Sequence, residues 1–454
     1  MREIITMKIF LTVWFGQLVS RIGTAMTRFA LLIWTYERAV EQGNPATAVA
    51  LFGFFAFLPL ILVSPLAGVW IDRLPRRWIM LAADVAAGVM TIGLLALHMS
   101  GHLEIWHLYV AEFLTGVFEA FQAPAYTAAS TLLVPKEHYG RAGGLRALAH
   151  NGAQVLAPVL GGVALYTIGL AGVMLVDLAT IGIAVVTLLL VRFPEARRKD
   201  HKPAAAQNSA LWREMAFGFQ YIWQRPGLAG LTFAFTGMNF IAALTYFSTL
   251  PAMILARSGG DQLALATVQG AMGVAGVAGA ILMSLWGGPR RRVHGVLLGA
   301  AASFLLGDTL LGMGQSLPVW IMGAIFGSFF IPIIGACNDA IWQEQVDPGL
   351  QGRVFTAKNM WGQALAPLGY LLAGALADGW LEPAMQPGGP YGSIFGWLVG
   401  VGPGAGIGLM MVVAAIAGAT LCLGMYLFPA VRNVDTTQEE TGAAITFNAS
   451  AQPA

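Results

Sequence analysis

About twelve apolar runs, each near the 20 residues that a helix needs to cross a bilayer, succeed one another along this chain. They fall near 10–36, 47–72, 77–99, 106–133, 141–167, 170–193, 227–256, 262–287, 292–314, 318–345, 353–380 and 405–429, here numbered spans 1 to 12. So many runs leave little choice of architecture. In hydrocarbon every backbone N–H and C=O must be satisfied internally, which an α-helix does within one segment. Composition agrees: 57% of residues are hydrophobic and 11% charged, against roughly 25% charged in soluble domains. Such a chain cannot cover its surface in polar groups, so lipid must solvate it.

Charge placement sets the threading. The tips after odd spans carry little: Arg38, no Lys or Arg near Ser100 and Gly101 or near Gly169, and Arg257. The tips after even spans carry Arg73/Arg76/Arg77, Lys136/Arg141, Arg197/Arg198/Lys199/Lys202, Arg290/Arg291/Arg292 and Arg353/Lys358. Positive residues stay on the cytoplasmic side, so both termini are expected there, in a plasma (bacterial inner) membrane protein. The first run, flanked by Arg2 and Lys8, reads as an uncleaved span. The net charge of +2 is too small to point to nucleic acid. Cys337 and Cys422 lie within apolar runs, so neither a disulfide framework nor a metal site is expected. There is no Gly-x-x-x-x-Gly-Lys-Ser/Thr loop for a nucleotide and no His-Glu-x-x-His. No cofactor is expected, and an enzyme would need a nucleophile–base pair or metal cluster that the seven scattered histidines do not offer.

Two halves echo each other. Val134-Pro135 leads to Gly140-Arg141, as Val346-Asp347-Pro348 leads to Gly352-Arg353. Gln154-Val155-Leu156-Ala157-Pro158 in span 5 is matched by Gln363-Ala364-Leu365-Ala366-Pro367 in span 11. The expected organisation is an N-terminal six-helix bundle (1–193), a linker (194–225), a C-terminal bundle (226–430) and a disordered tail (431–454). Within the linker, 210–224 has apolar spacing suited to a helix lying in the interface. The Gly- and Pro-rich segment 382–404 reads as either an ordered external cap or a floppy lid.

Between spans 2 and 3, Gly68 is followed by Asp72, Arg73, Arg76 and Arg77. This Gly-x-x-x-Asp-Arg-x-x-Arg-Arg tip resembles the loop 2–3 signature of the major facilitator superfamily of secondary transporters. Gly16-Gln17-x-x-Ser20, Ala83-Asp84, Pro124-Ala125 and Gly352-Arg353-Val354-Phe355 narrow the likeness to its macrolide-efflux and siderophore-exporter (transmembrane secretion effector) branch. The resemblance implies an all-α membrane fold of twelve helices in two pseudo-symmetric bundles around a central cavity. It also implies that Asp72 braces span 2 against span 11 in one conformation and lets go in the other. Pro75 stands where the family most often has glycine. In span 5, Ala157-Pro158-x-x-Gly161-Gly162 looks like the antiporter motif of drug exporters, with alanines for three of its glycines.

Each ionisable residue inside a span costs about 2.5–3.5 kcal/mol on insertion scales. Arg21 and Arg28 share a face of span 1, and Glu112 and Glu119 a face of span 4. Antiparallel depths pair Arg28 with Glu112 and Arg21 with Glu119. One glutamate would take up a proton and release its arginine; a fixed buried salt bridge is the alternative. The span 4 arginine that many proton antiporters of the family it resembles carry near Glu112–Gly116 is absent, so Arg146 or Arg21 would substitute. Asp84 lies near the arginine tip and reads as a structural salt bridge. Gln17, Phe29, Phe118, Gln122, Asn151, Asn239 and Tyr246, with Asn338 and Asp339, are candidates for the cavity wall. The expected function is proton-coupled export of an amphiphilic small molecule by a monomer, its partners being substrate, protons and lipid. A uniporter or importer, or a non-transporting receptor or scaffold, are the alternatives.

Overall fold

The structure, a computed structural model, describes residues 2–71, 75–134, 138–191, 216–347 and 350–435. Asp72 and Arg73, most of the linker and the tail from 436 lie outside them. Spans 1 to 4 are the helices Arg2–Val40, Pro45–Ile71, Arg76–Met99 and Ile105–Leu133. Spans 5 and 6 form Tyr139–Leu190, which folds back at Gly169 with φ 69° and ψ 178°. A side chain would be strained at that φ, so glycine permits a hairpin with no intervening loop. Span 7 is Pro226–Leu244 continued by Leu250–Ser258, and span 8 is Gln262–Trp286.

Span 9 runs from Arg292 to Met313 through a π-helical stretch, Ser303–Asp308. Span 10 joins Leu317–Phe329 to Ile331–Gln345, and span 11 joins Gln351–Gln363 to Ala366–Leu376. Both breaks precede a proline, Pro332 and Pro367, whose ring opposes the helical conformation in the residue before it. Span 12 is Ala405–Gly424. Ten of the described helices are long and apolar enough to cross a membrane. Span 4, with its two glutamates, is not among them, and the kinked spans 5 and 6 count as one. Adding those two passes gives the twelve of the fold.

Spans 1 and 6 meet where Gly23 lies against Thr180, and a Cβ there would overlap the Thr180 hydroxyl. One buried core packs spans 1, 2, 4, 5 and 6 around Met26, Leu31, Phe52, Leu108, Ala157 and Met174. Another packs the C-terminal half around Leu231, Val296, Ile341, Trp342 and Ala415. A third is shared: Phe29, Ile33, Tyr36 and Val49 pack with Met253, Leu265, Val268 and Met411. It lies at the arginine-poor end, and it joins the halves.

Glycines set how closely the halves approach. Spans 5 and 8 cross where a Cβ on Gly162 would stand 2.6 Å from the Ala266 Cβ. Spans 2 and 11 cross where Gly374 abuts the Thr47 backbone and Gly53 abuts Tyr370. The two crossings are pseudo-symmetric, because span 11 is the repeat of span 5.

Of the two readings of segment 382–404, the structure has the ordered cap. It contains a short helix, Gly392–Val399, and Met385 and Val399 are almost fully buried against span 12. Glu382 accepts from the Gly404 and Ile407 amides at 3.0 and 2.9 Å, covering the positive start of span 12. Arg257 donates to the carbonyls of Gly312, Gly314 and Val399, tying spans 7 and 9 to the cap. Arg257→Ala is therefore expected to loosen the cap, giving protease cleavage within 385–404 where the unchanged chain resists.

In the linker, residues 216–223 are helical and dock on the C-terminal half. Ile222 is fully buried, and the Tyr221 hydroxyl donates to the Gln345 carbonyl at 3.3 Å. Trp223 stacks on Trp361. Residues 210–215 lie outside the described residues.

Candidate functional site

The charged wall of the N-terminal half is built by spans 1, 3, 4 and 6. Arg28 lies between both glutamates of span 4, its Nε 3.0 Å from Glu112 Oε2 and its Nη2 3.4 Å from Glu119 Oε1. Helix depth pairs Glu119 with Arg21, but in the structure one guanidinium serves both acids. A helical offset of seven residues is two turns, about 10.5 Å, and the long arginine side chain spans much of it. The wall here holds two carboxylates for one cation. Glu112 is buried, with 8% of its side chain exposed, whereas Glu119 has 37% exposed.

One layer toward the arginine-rich end, Asp84 accepts from Gln17 Nε2 at 2.7 Å and from Gln122 Nε2 at 2.6 Å. It is therefore not the salt bridge that its position near the basic tip suggested. Two neutral amides satisfy it, and Arg21 stands within electrostatic range. Gln17 and Gln122, candidates for substrate contact, are committed to this carboxylate. Two turns away, within electrostatic range of Arg28, Asp177 of span 6 accepts from Thr24 at 3.0 Å and Thr91 at 3.1 Å. The two threonines gave no signal in the sequence, since hydroxyls in a helix ordinarily bond to their own backbone.

Arg76 and Arg77 of the basic tip donate to the carbonyls of Ala128 (3.2 Å) and Leu189 (2.8 Å). They thereby neutralise the negative ends of spans 4 and 6. Gly68 lies within the span 2 helix, and Asp72 and Arg73, its partners in the motif, lie outside the described residues. Of the span 5 motif, Gly161 packs against the Met26 backbone and Phe29, and Gly162 against Ala266 of span 8. Ala157 is buried in the N-terminal core, and Pro158 stays within the helix.

The structure divides the cavity candidates. Phe29 is 5% exposed and sits in the seal between the halves, not on an open wall. Phe118 is half-buried and Asn151 exposed. In the C-terminal half, Asn239, Asn338 and Asp339 line one cleft of ≈ 210 Å³, with Trp342, Lys358 and Gln363. Asn239 donates to the Gly362 carbonyl at 3.0 Å, Asn338 accepts from Trp342, and Asp339 is held by Lys358 at 2.8 Å. Tyr246 lies elsewhere, bonded to Ser328 at 2.8 Å. Asp308, 5% exposed, sits in the π-helical stretch beside Gly327.

Among the described residues every hydrogen bond between the halves lies at the arginine-poor end. Asp378 accepts from the Ala46 and Thr47 amides at 3.3 and 2.6 Å, capping span 2 from span 11. Gln262 donates to Glu37 at 2.9 Å. Neither contact was legible in the sequence, because 331 positions separate Thr47 from Asp378.

Two six-helix halves, sealed together at one end and carrying buried charges on an inner wall, define a multi-pass membrane transporter. The sequence profile of the Major Facilitator Superfamily matches residues 13–370, and the chain belongs to that family. It is 25% identical over 376 residues to macrolide efflux protein A of Streptococcus pyogenes, covering 81% of this chain and 89% of that one. It is 24% identical over 369 residues to the enterobactin exporter EntS of Shigella flexneri, covering 78% and 82%. Among solved structures, a bacterial homologue of the human lysosomal transporter Spinster, inward-facing and unoccupied, superposes with a TM-score of 0.63. That match has 15% identity and covers 94% of this chain and 97% of that one. The nucleoside transporter NupG gives a TM-score of 0.65 at 11% identity, covering 92% and 99%. These structural likenesses concern the fold alone.

Proposed function

We propose that this chain exports amphiphilic small molecules in exchange for protons, by alternating access of a site between bundles 1–193 and 226–430. Relatives named as a macrolide efflux protein, a multidrug efflux pump and an enterobactin exporter support the direction and the class of substrate. The positive-inside bias makes the arginine-rich end cytoplasmic, so the form described here is closed to the outside and receives substrate from the cell. The linker 194–225 joins the bundles, the chain works as a monomer, and Asp72 serves as the brace between spans 2 and 11.

The observation that carries proton exchange is Arg28 shared by two glutamates. One cation cannot neutralise two carboxylates, and like charges held together disfavour double ionisation. Glu119, the more exposed of the two, is the member that a proton reaches from the cavity. Protonation leaves Arg28 to Glu112 and removes the surplus charge from the wall, so the site can pass through a closed, dry state. Deprotonation on the other side restores the charge and resets the cycle.

In proteoliposomes with an imposed pH gradient, wild type is expected to drive uptake or efflux of a lipophilic macrolide. Glu119→Gln should insert and fold, yet lose gradient-driven flux by at least tenfold while retaining exchange of substrate for substrate. Gradient-driven flux equal to wild type would remove Glu119 from proton coupling.

A further inference from the structure

One guanidinium on the inner wall has no use in the exchange just described. Arg146, in the second turn of span 5, has its Nε and Nη1 buried without a hydrogen-bond partner. Nothing among the described residues forms an ion pair with it. Within its electrostatic range is Tyr126 of span 4, 5% exposed, whose hydroxyl is likewise buried and unpartnered. Arg21 of span 1 and Arg146 both lie within electrostatic range of that hydroxyl. Asp84, within electrostatic range of Arg21, is already occupied by two glutamine amides.

Buried donors without acceptors are rare in folded proteins, because each forfeits its bonds to water and gains nothing in return. A guanidinium leaves a larger deficit than a hydroxyl, being charged, and its planar fork matches the paired oxygens of a carboxylate or phosphate. The position is fixed as well. Trp14 of span 1 donates to the Leu145 carbonyl at 2.7 Å, pinning the turn of span 5 that carries Arg146. Arg146 and Tyr126 thus carry buried donors with no partner among the described residues, and Arg146 and Arg21 lie within electrostatic range of Tyr126 from separate helices.

We propose that Arg146, Tyr126 and Arg21 form a subsite for an oxyanion, a carboxylate or phosphate group on an amphiphilic molecule entering from the arginine-rich end. It rests on the export reading in that it names one chemical group of the cargo. The same chemistry is offered by a solute's carboxylate and by a lipid headgroup phosphate. At the other level of the wall the Arg28 cluster has one carboxylate in excess. The subsite therefore lies at the electropositive end of a wall whose other end is electronegative.

The test uses the purified full chain in a neutral maltoside detergent, titrated calorimetrically with salicylate and, separately, with dihexanoyl-phosphatidylglycerol. Saturable binding of at least one is expected. Arg146→Gln should weaken it tenfold or more and Tyr126→Phe about threefold. Arg146→Lys should retain part of it, and Arg290→Gln, at an exposed tip, should leave it unchanged. Equal melting temperatures for the two Arg146 variants separate lost binding from lost folding. Binding of salicylate alone assigns the subsite to a solute carboxylate, binding of the lipid alone to a headgroup, and either supports it. No saturable binding by wild type, or unaltered binding by Arg146→Gln, overturns it. The assay needs no gradient, so it is independent of the export reading. A wild type that binds oxyanions but moves no amphiphile overturns export alone, and one that exports a neutral macrolide but binds neither probe overturns the subsite alone.

Discussion

Arg28→Ala is expected to damage this protein more than any other single truncation on the inner wall. It would strand Glu112, with 8% of its side chain exposed, beside Glu119 with no cation between them. Removing one partner of a buried pair costs about 3–5 kcal/mol, because the remaining charge has lost both water and counter-ion. The expected result is poor insertion or a strongly lowered melting temperature in detergent. The double variant Arg28→Ala/Glu112→Gln should recover much of that loss, since it leaves only the more exposed acid. Failure of the second change to rescue the first would show that Arg28 is held for packing and not for charge. Transport should stay defective in the rescued protein, because the shared cation on which proton release depends is gone.

The second large effect is expected at Gly374. Its Cα abuts the Thr47 backbone where spans 2 and 11 cross, next to the Asp378 carboxylate that caps span 2. A leucine side chain has no room there, and neither backbone can yield without undoing the cap. Gly374→Leu should therefore hold the arginine-poor end ajar. Each half keeps its own core, so the variant should fold with nearly unchanged helicity. Flux should fall more than tenfold. Spin labels on the arginine-poor ends of spans 2 and 11 should report a longer distance than in the parent. Gly374→Ala should be milder, because one methyl demands a smaller shift. Normal flux in Gly374→Leu would mean that the seal seen here plays no part in the cycle.

Much of the fold was legible because its cause is local. Twenty apolar residues in hydrocarbon must be helical whatever they touch, and arginines at alternate tips set the threading without any tertiary knowledge. The breaks at Pro332 and Pro367 and the reversal at Gly169 follow from single residues. The repeat words in spans 5 and 11 pointed to pseudo-symmetry, which appears as the paired crossings 5 with 8 and 2 with 11. The site was read less completely. Equal spacing placed Arg21 and Arg28 opposite Glu112 and Glu119, but helix depth alone does not fix rotation or side-chain reach. Arg28 consequently holds both acids, while Arg21 lies within electrostatic range of Asp84 and Tyr126. Phe29 looked like a cavity aromatic, and it belongs to the seal because it packs beneath Gly161 of span 5.

Sequence alone determined that the chain lives in lipid, how many times it crosses, and which residues are too costly to be there without a task. Those are properties of one segment against its solvent. Only the tertiary structure decided which charge answers which, that Asp84 is satisfied by amides, and that Asp378, Glu382 and Arg257 lock the arginine-poor end. Those outcomes depend on the relative rotation of helices and on bonds between distant positions, and a hydrogen bond acting over about 3 Å leaves no periodicity in the sequence to read.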